Sequence, residues 1–298
     1  MKVSVLFTFF LLSTTLMAQN NELALIKQGA SLQKLSGEFA FTEGPISDKA
    51  GNVYFTDQPN DRIMVWGIDG SLSTFMQPAG RANGMYFDHK GNLWVCADEK
   101  NELWIIDKKK KVSVLLNTYE NTKLNGPNDL WVMRNGSAYF TDPFYARPWW
   151  EHKEKPQDIQ GVYYLAKNHK DLKRVAGDLK QPNGIVGSPD GKLLYVADIG
   201  ASKTYRYEIT RNGDLKNKML FCDMGSDGMT LDNRGNLYLT NRAGVTVFSP
   251  AGEQILNIPT GEGWTANVCF GGKNHSTLFI TASKSIYAIE MNVKGVNP

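Results

Sequence analysis

The sequence is poor in the residues that organise many small folds and many active sites. Among its 298 residues are three cysteines and four histidines, and the formal net charge is +3. Cys96, Cys222 and Cys269 lie far apart within apolar, strand-like stretches. That excludes a disulfide framework, allows one pair at most, and leads us to expect buried free thiols. No zinc-ligand spacing is present: His89, His169 and His275 fall in turn-like segments and His152 in a polar insertion, positions suited to a surface. With 33 basic residues against 30 acidic ones, the chain lacks the strong field that nucleic acid or a membrane surface would require. The lysine run from Lys108 to Lys111 reads as a solvated hairpin turn. Helical periodicity is almost absent. A G-x-S-x-G elbow is missing, and Ser226 beside Asp227 has no evident histidine, which leaves a serine nucleophile without support. The stretch GEGWTA from Gly261 matches a dinucleotide fingerprint in letters only, with no strand before it and no helix after it.

What is present is the composition of a folded globular protein: 42% hydrophobic, 21% charged and 11% aromatic, without a disordered bias. The N-terminus has one basic residue, an apolar run from Val3 to Leu12 and a small residue at Ala18 before a polar stretch. This predicts a signal peptide over residues 1–18 with cleavage after Ala18. A cysteine does not follow the apolar run, which argues against a lipoprotein, and no later segment is apolar for long enough to be a membrane helix. The mature chain, 19–298, is expected to be one exported domain, periplasmic or secreted.

Internal repetition organises the rest. Six segments share a plan of polar residue, short strand, turn rich in Gly, Asp or Asn, and second strand. They begin at Glu43, Asn83, Asn128, Asn183, Asp227 and Asn267, spaced by 40, 45, 55, 44 and 40 residues. That period fits a four-stranded propeller blade of about 40 to 50 residues. The runs GNVYFTD, GNLWVCAD and GNLYLTN are β-branched and aromatic strands entered through a Gly-Asn turn. The prediction is an all-β, six-bladed β-propeller with a central metal site. The last unit is short of strands, so a strand from about Leu23 to Leu35 is expected to complete it and close the ring. A β-sandwich also uses short, regularly spaced strands, but six units of near-constant period fit it less well.

In a propeller the innermost strands start near the axis, so the six repeat starts converge at one level. Any one Asn or Asp alone is as well explained by turn capping. A ring of carboxylates and carboxamides is a set of hard oxygen ligands suited to Ca²⁺, and two members, Glu43 and Asp227, are anionic.

The motifs EGP at Glu43, LNGPNDL ending at Leu130, YFTDP, KQPNGIVGSPDGKLLYVADIG, SDGMTLDNRGNLYLT and ANVCFGG resemble those of the gluconolactonase, senescence-marker-protein and luciferin-regenerating-enzyme family. The likeness covers about residues 36 to 291, in the family's order, and the microbial gluconolactonase branch is the nearer one. It implies a propeller with one divalent metal, Ca²⁺ first, with Mn²⁺, Zn²⁺ and Mg²⁺ as the other candidates. Glu43, Asn183 and Asp227 would be direct ligands, Asn128 a ligand or a substrate contact, and Asp129 a support of the site or a substrate contact. Asn83 joins them as a candidate substrate contact; the role of Asn267 stays open. One departure stands out: animal members place an Arg two residues before the Asn of the third unit, where this chain has Gly126.

The likeness implies opening of a sugar lactone such as glucono-1,5-lactone to its aldonic acid. The metal would act as Lewis acid, Asp227 as general base and Glu43 as an electrostatic ligand. Two other readings compete: an esterase or phosphotriesterase resembling the paraoxonases, and a non-catalytic ligand-binding propeller, for which a broken ligand set would be expected. A small-molecule lactone is the expected partner, with no nucleic acid, no membrane in the mature form and no obligate protein partner. The insertion FYARPWWEHKEKPQD from Phe144 carries Trp149 and Trp150. Those rings suit the apolar faces of sugars and could cover the channel mouth, or pack against the body or a second subunit.

Overall fold

The computed structural model describes residues 25–296; the predicted signal peptide over 1–18 lies outside them. Six four-stranded antiparallel sheets follow one another along the chain. Their innermost strands are Thr42–Ser47, Ala82–Phe87, Leu130–Val132, Pro182–Gly187, Met229–Leu231 and Thr265–Gly271. Each of these touches the next, and the last touches the first, so the chain is a closed six-bladed β-propeller. The blades are numbered here by those strands. Among the described residues no helix is long and apolar enough to cross a membrane.

Ring closure takes the expected form at a shifted position. Gln33–Ser36 pairs antiparallel with Ser285–Glu290 and supplies the outer strand of blade 6. Ile26 adds a single bridge to Met291. The edge that blade 6 would otherwise expose is thereby covered by the start of the chain.

The D-x-x-G-N turns explain why the first two strands of a blade pair so regularly. Asp48 Oδ1 accepts from the backbone N–H groups of Ala50 and Asn52, at 2.9 and 3.0 Å, while Asn52 Nδ2 donates to Asp48 Oδ2 at 2.8 Å. The same cage forms at Asp88 with Asn92 and at Asp232 with Asn236. An Asx turn of this kind satisfies the turn backbone locally and fixes the hairpin register.

Aromatic rings fill the wedges between blades. Tyr54 of blade 1 meets Phe87 of blade 2 edge-on at 5.0 Å, and Tyr238 of blade 5 meets Phe270 of blade 6 at 5.2 Å. Trp94 meets His169 of blade 3 at 5.0 Å, so that histidine is a packing residue. His152 stacks on Trp150, and His275 Nδ1 lies 3.4 Å from Ser47 Oγ. The three cysteines are free and buried.

Two devices draw the inner strands together. Thr56, Thr141 and Thr240 on second strands donate through Oγ1 to the inner-strand carbonyls of Asn83, Asn183 and Ala266 in the following blade. In blades 1, 2, 4 and 5 a glycine follows the polar repeat start and leaves no room for a side chain: a Cβ on Gly44, whose φ is +46°, would sit 2.0 Å from the carbonyl oxygen of Asn83. A Cβ on Gly228 would sit 1.9 Å from the Asn267 carboxamide.

The aspartates that end second strands are clasps for the segment entering their own blade. Asp57 accepts from the N–H groups of Ala40 and Phe41, Asp142 from those of Asn125 and Gly126, and Asp198 from those of Lys180 and Gln181. Blade 2 differs. There Asp61 accepts from the N–H groups of Ala79 and Arg81, at 3.0 and 2.6 Å, which leaves Asp98 without that duty.

Candidate active site

The six repeat starts arrive at one end of the axis but not in one role. A cavity of about 300 Å³ opens there, lined by Glu43, Asn83, Asn128 and Asp227 from inner strands and their approaches. Phe41, Gln58, Gln181, Ile199, Tyr145, Arg147 and Trp264 complete its wall.

Asp227, half-buried, anchors the polar side of the cavity. Its Oδ1 accepts from Asn183 Nδ2 at 2.8 Å and its Oδ2 from the indole N–H of Trp264 at 2.5 Å. Burial pushes its carboxyl up to about 6, against the pull of those two donors. Glu43 is only 4% exposed, and its Oε2 accepts from Gly44 N at 2.5 Å and from Asn267 Nδ2 at 3.0 Å. Burial first, and the neighbouring Asp227 carboxylate second, raise the Glu43 carboxyl well above the usual carboxylate range. A buried and a half-buried acid facing each other resist ionising together.

The carboxamides complement that pair. Asn183 spends its NH₂ on Asp227 and on the Tyr145 hydroxyl, both at 2.8 Å, so its buried Oδ1 is left without a hydrogen-bond partner. Asn83 Oδ1 is likewise buried without a partner. Buried carbonyl oxygens are costly to leave unpaired. Among the described residues no group of three or more His, Cys, Asp or Glu side chains is placed to hold a metal ion. What converges instead is two carboxylates and carboxamide oxygens with vacant lone pairs, a donor set that fits a hard cation such as Ca²⁺.

Other expected residues land elsewhere. Asp129 does not line the cavity; it lies in the channel beneath it, where its Oδ1 accepts from Leu130 N at 2.9 Å and burial pushes its carboxyl up to about 7. Asn267 donates its amide N–H to Glu43 and accepts from Val268 N through Oδ1, so it braces the site. Trp150 is 4% exposed and donates its indole N–H to the Asp98 carbonyl at 2.7 Å, which pins the insertion to the body. Trp149 is off the cavity wall and stacks under the guanidinium groups of Arg81 and Arg147, at 4.5 and 5.6 Å.

The repeat pattern does not mark Tyr145, Arg147, Trp264, Gln58 or Gln181 as cavity residues. Tyr145 and Arg147 stand in the same insertion as Trp149 and Trp150, and Trp264 stands in GEGWTA, where a single Trp among glycines carries no periodic signal.

The SMP-30/Gluconolactonase/LRE-like region family model matches residues 41–284. A gluconolactonase of Zymomonas mobilis subsp. mobilis is 29% identical over 302 aligned residues, spanning 91% of this chain and 84% of that protein. A crystal structure described as that of a candidate gluconolactonase superposes with a TM-score of 0.86 at 30% identity, covering 93% of this chain and 97% of the other. A gluconolactonase structure from Xanthomonas campestris gives a TM-score of 0.83 at 27% identity, covering 90% and 91%.

Proposed function

Because this chain belongs to the SMP-30/gluconolactonase/LRE-like family, we propose that it hydrolyses sugar lactones in the central cavity, with a divalent cation of the calcium type bound there. The observation that carries the reading is the Asn183 carboxamide: its donors are fixed on Asp227 and Tyr145, and its buried oxygen is left with an unused lone pair. Together with Glu43, Asn128 and Asp227, that oxygen would hold the ion. When bound, such a cation polarises the lactone carbonyl and stabilises the negative charge that develops on it.

The side chains divide the remaining work. Asp227, oriented through both oxygens by Asn183 and Trp264, removes a proton from the attacking water and returns it to the ring oxygen as the acyl C–O bond breaks. Glu43 is tied by Gly44 N and Asn267 and would, with a cation beside it to keep it ionised, contribute charge rather than proton transfer. Asn183 donates to the Tyr145 oxygen, so the Tyr145 hydroxyl keeps its own proton for an acceptor in the cavity. Burial keeps that phenol protonated. Phe41, Ile199 and Trp264 give apolar surface for a sugar ring. The basic, apolar and small-residue pattern of the N-terminus supports action outside the cytoplasm.

The test is proton release from glucono-1,5-lactone by chelated protein, then with Ca²⁺, Mn²⁺, Zn²⁺ or Mg²⁺ restored. Metal-restored turnover that Asp227→Asn abolishes while metal affinity is nearly kept supports the base role. Metal binding with turnover of phosphotriesters and not of lactones would replace the reading, and absence of metal binding would favour a non-catalytic propeller.

A further inference from the structure

We infer that Arg147 makes this cavity select lactones that carry a second, anionic substituent away from the scissile ester, an inference that rests on the lactone reading of the same cavity. Arg147 stands in the insertion between the second and third strands of blade 3, Ala138–Asp142 and Gly161–Leu165. Among the described residues it is the only cationic side chain on the cavity wall.

Its guanidinium is held from behind. Nε forms an ion pair with Asp98 Oδ2 at 2.8 Å, and Asp98 is 2% exposed. The Tyr145 ring lies 5.3 Å and the Trp149 ring 5.6 Å from its central carbon. The contact with Asp98 is an ion pair rather than an aligned hydrogen bond, for the buried Nε has no hydrogen-bond partner. A guanidinium held beside a buried carboxylate through Nε still carries the forked N–H donors of Nη1 and Nη2, which match a planar two-oxygen acceptor. A neutral hydroxyl would engage that fork far less completely.

The scaffold around Arg147 departs from the repeat at the places that make this grip. Asp57, Asp142 and Asp198 clasp the backbone entering their own blades. In blade 2 that task passes to Asp61, and the freed Asp98 turns to Arg147 and to Gln58 Nε2, which donates at 3.0 Å. Gly126, with φ of +148°, faces the Trp150 ring and Asp98, which a Cβ there would meet at 2.7 and 3.1 Å. A side chain at position 126 would collide with the Trp150 ring that pins the insertion, so the insertion needs glycine there to bring Arg147 to the cavity. Trp149 acts through Arg147 and is a positioning residue.

The experiment is calorimetric titration of the calcium-loaded protein with D-glucarate and D-gluconate, which differ by one terminal carboxylate. The protein should bind glucarate tighter by about ten-fold or more, Arg147→Met should erase the preference, and Arg147→Lys, a charge without a fork, should keep part of it. Equal affinities in the unaltered protein, or a preference that survives Arg147→Met, overturns the inference. Because this readout needs no turnover, it stands apart from a failure of the lactonase reading. In the kinetic arm, kcat/KM for D-glucaro-1,4-lactone over D-glucono-1,4-lactone should fall in Arg147→Met through KM. A parallel fall with 6-phospho-D-glucono-1,5-lactone over the neutral 1,5-lactone would assign the fork to oxyanions in general, and a fall confined to one acid would assign it to that acid. Equal losses on charged and neutral lactones would overturn the inference.

Discussion

Trp264 donates its indole N–H to Asp227 Oδ2 at 2.5 Å, from the segment entering blade 6 to the inner strand region of blade 5. A donor aimed at a carboxylate favours its ionised form, so this contact opposes the burial that raises Asp227 to about 6. Trp264→Phe keeps most of the apolar ring and removes the donor. The Asp227 carboxyl then rises further, and the acid limb of kcat/KM against pH moves upward by about one unit, a hydrogen bond to a charged group being worth roughly 1.5–3 kcal/mol. Activity at pH 6 should fall more than activity at pH 8.5; an equal loss at both would mean that Trp264 only shapes the cavity.

The glycine that follows four of the six polar repeat starts carries a steric prediction. At Gly44 a Cβ would lie 2.0 Å from the Asn83 carbonyl oxygen, with the backbone at φ of +46°. Both the clash and the left-handed conformation oppose any side chain. Gly44→Ala should lower stability by about 3 kcal/mol or more, read as a fall in urea midpoint without a change in the m-value. Gly70→Ala, at a position where a Cβ meets nothing within 4 Å, carries only the conformational cost of its φ of +82° and should lose clearly less.

Much of this was readable in the sequence because the repeat reports on itself. Glu43, Asn83, Asn128 and Asp227 recur in register, and register around an axis becomes proximity at one end of the channel. Asn267 shared the register yet turned its oxygen to Val268 N, since rotation about one side-chain bond decides which atom faces the axis. The repeat could not report Arg147 or Trp149, which belong to an insertion without a counterpart in other blades. Their partners, Asp98 and Arg81, lie 49 and 68 residues away in the sequence. The release of Asp98 was hidden for the same reason: the residue that relieves it, Asp61, sits in a left-handed turn after the second strand of blade 1, with φ of 53°.

Asp98 also gives a pH prediction. Burial raises its carboxyl from 3.8 to about 6, even against the attraction of Arg147 and Arg81. A carboxyl raised by folding favours the folded state while it is protonated, so its contribution is present below the unfolded pKa and is lost as pH rises through 6. The loss is at most about 3 kcal/mol from two units of difference. Asp98→Asn does not titrate. Its stability relative to the unaltered protein, from urea unfolding at pH 4.5 and 7.5, should therefore improve at the higher pH. A difference independent of pH would show that Asp98 is ionised throughout.

The closing strand can be tested by truncation. Gln33–Ser36 pairs with Ser285–Glu290, and the segment before it adds Leu25, 3% exposed, to the cluster that holds Met291 and Val293. Starting the chain at Gly37 removes both the outer strand and that apolar plug, and it bares the hydrogen-bonding edge of Ser285–Glu290. Paired edges suppress association, so the truncated chain should melt at a lower temperature and aggregate from the folded state. Starting at Gln33 should show which loss matters: it keeps the strand and gives up Leu25 and the Ile26 bridge. If that shorter cut does not aggregate but has a reduced melting temperature, the strand controls association and the plug controls stability. A truncation to Gly37 that melts as the full chain does would show that blade 6 holds with three strands.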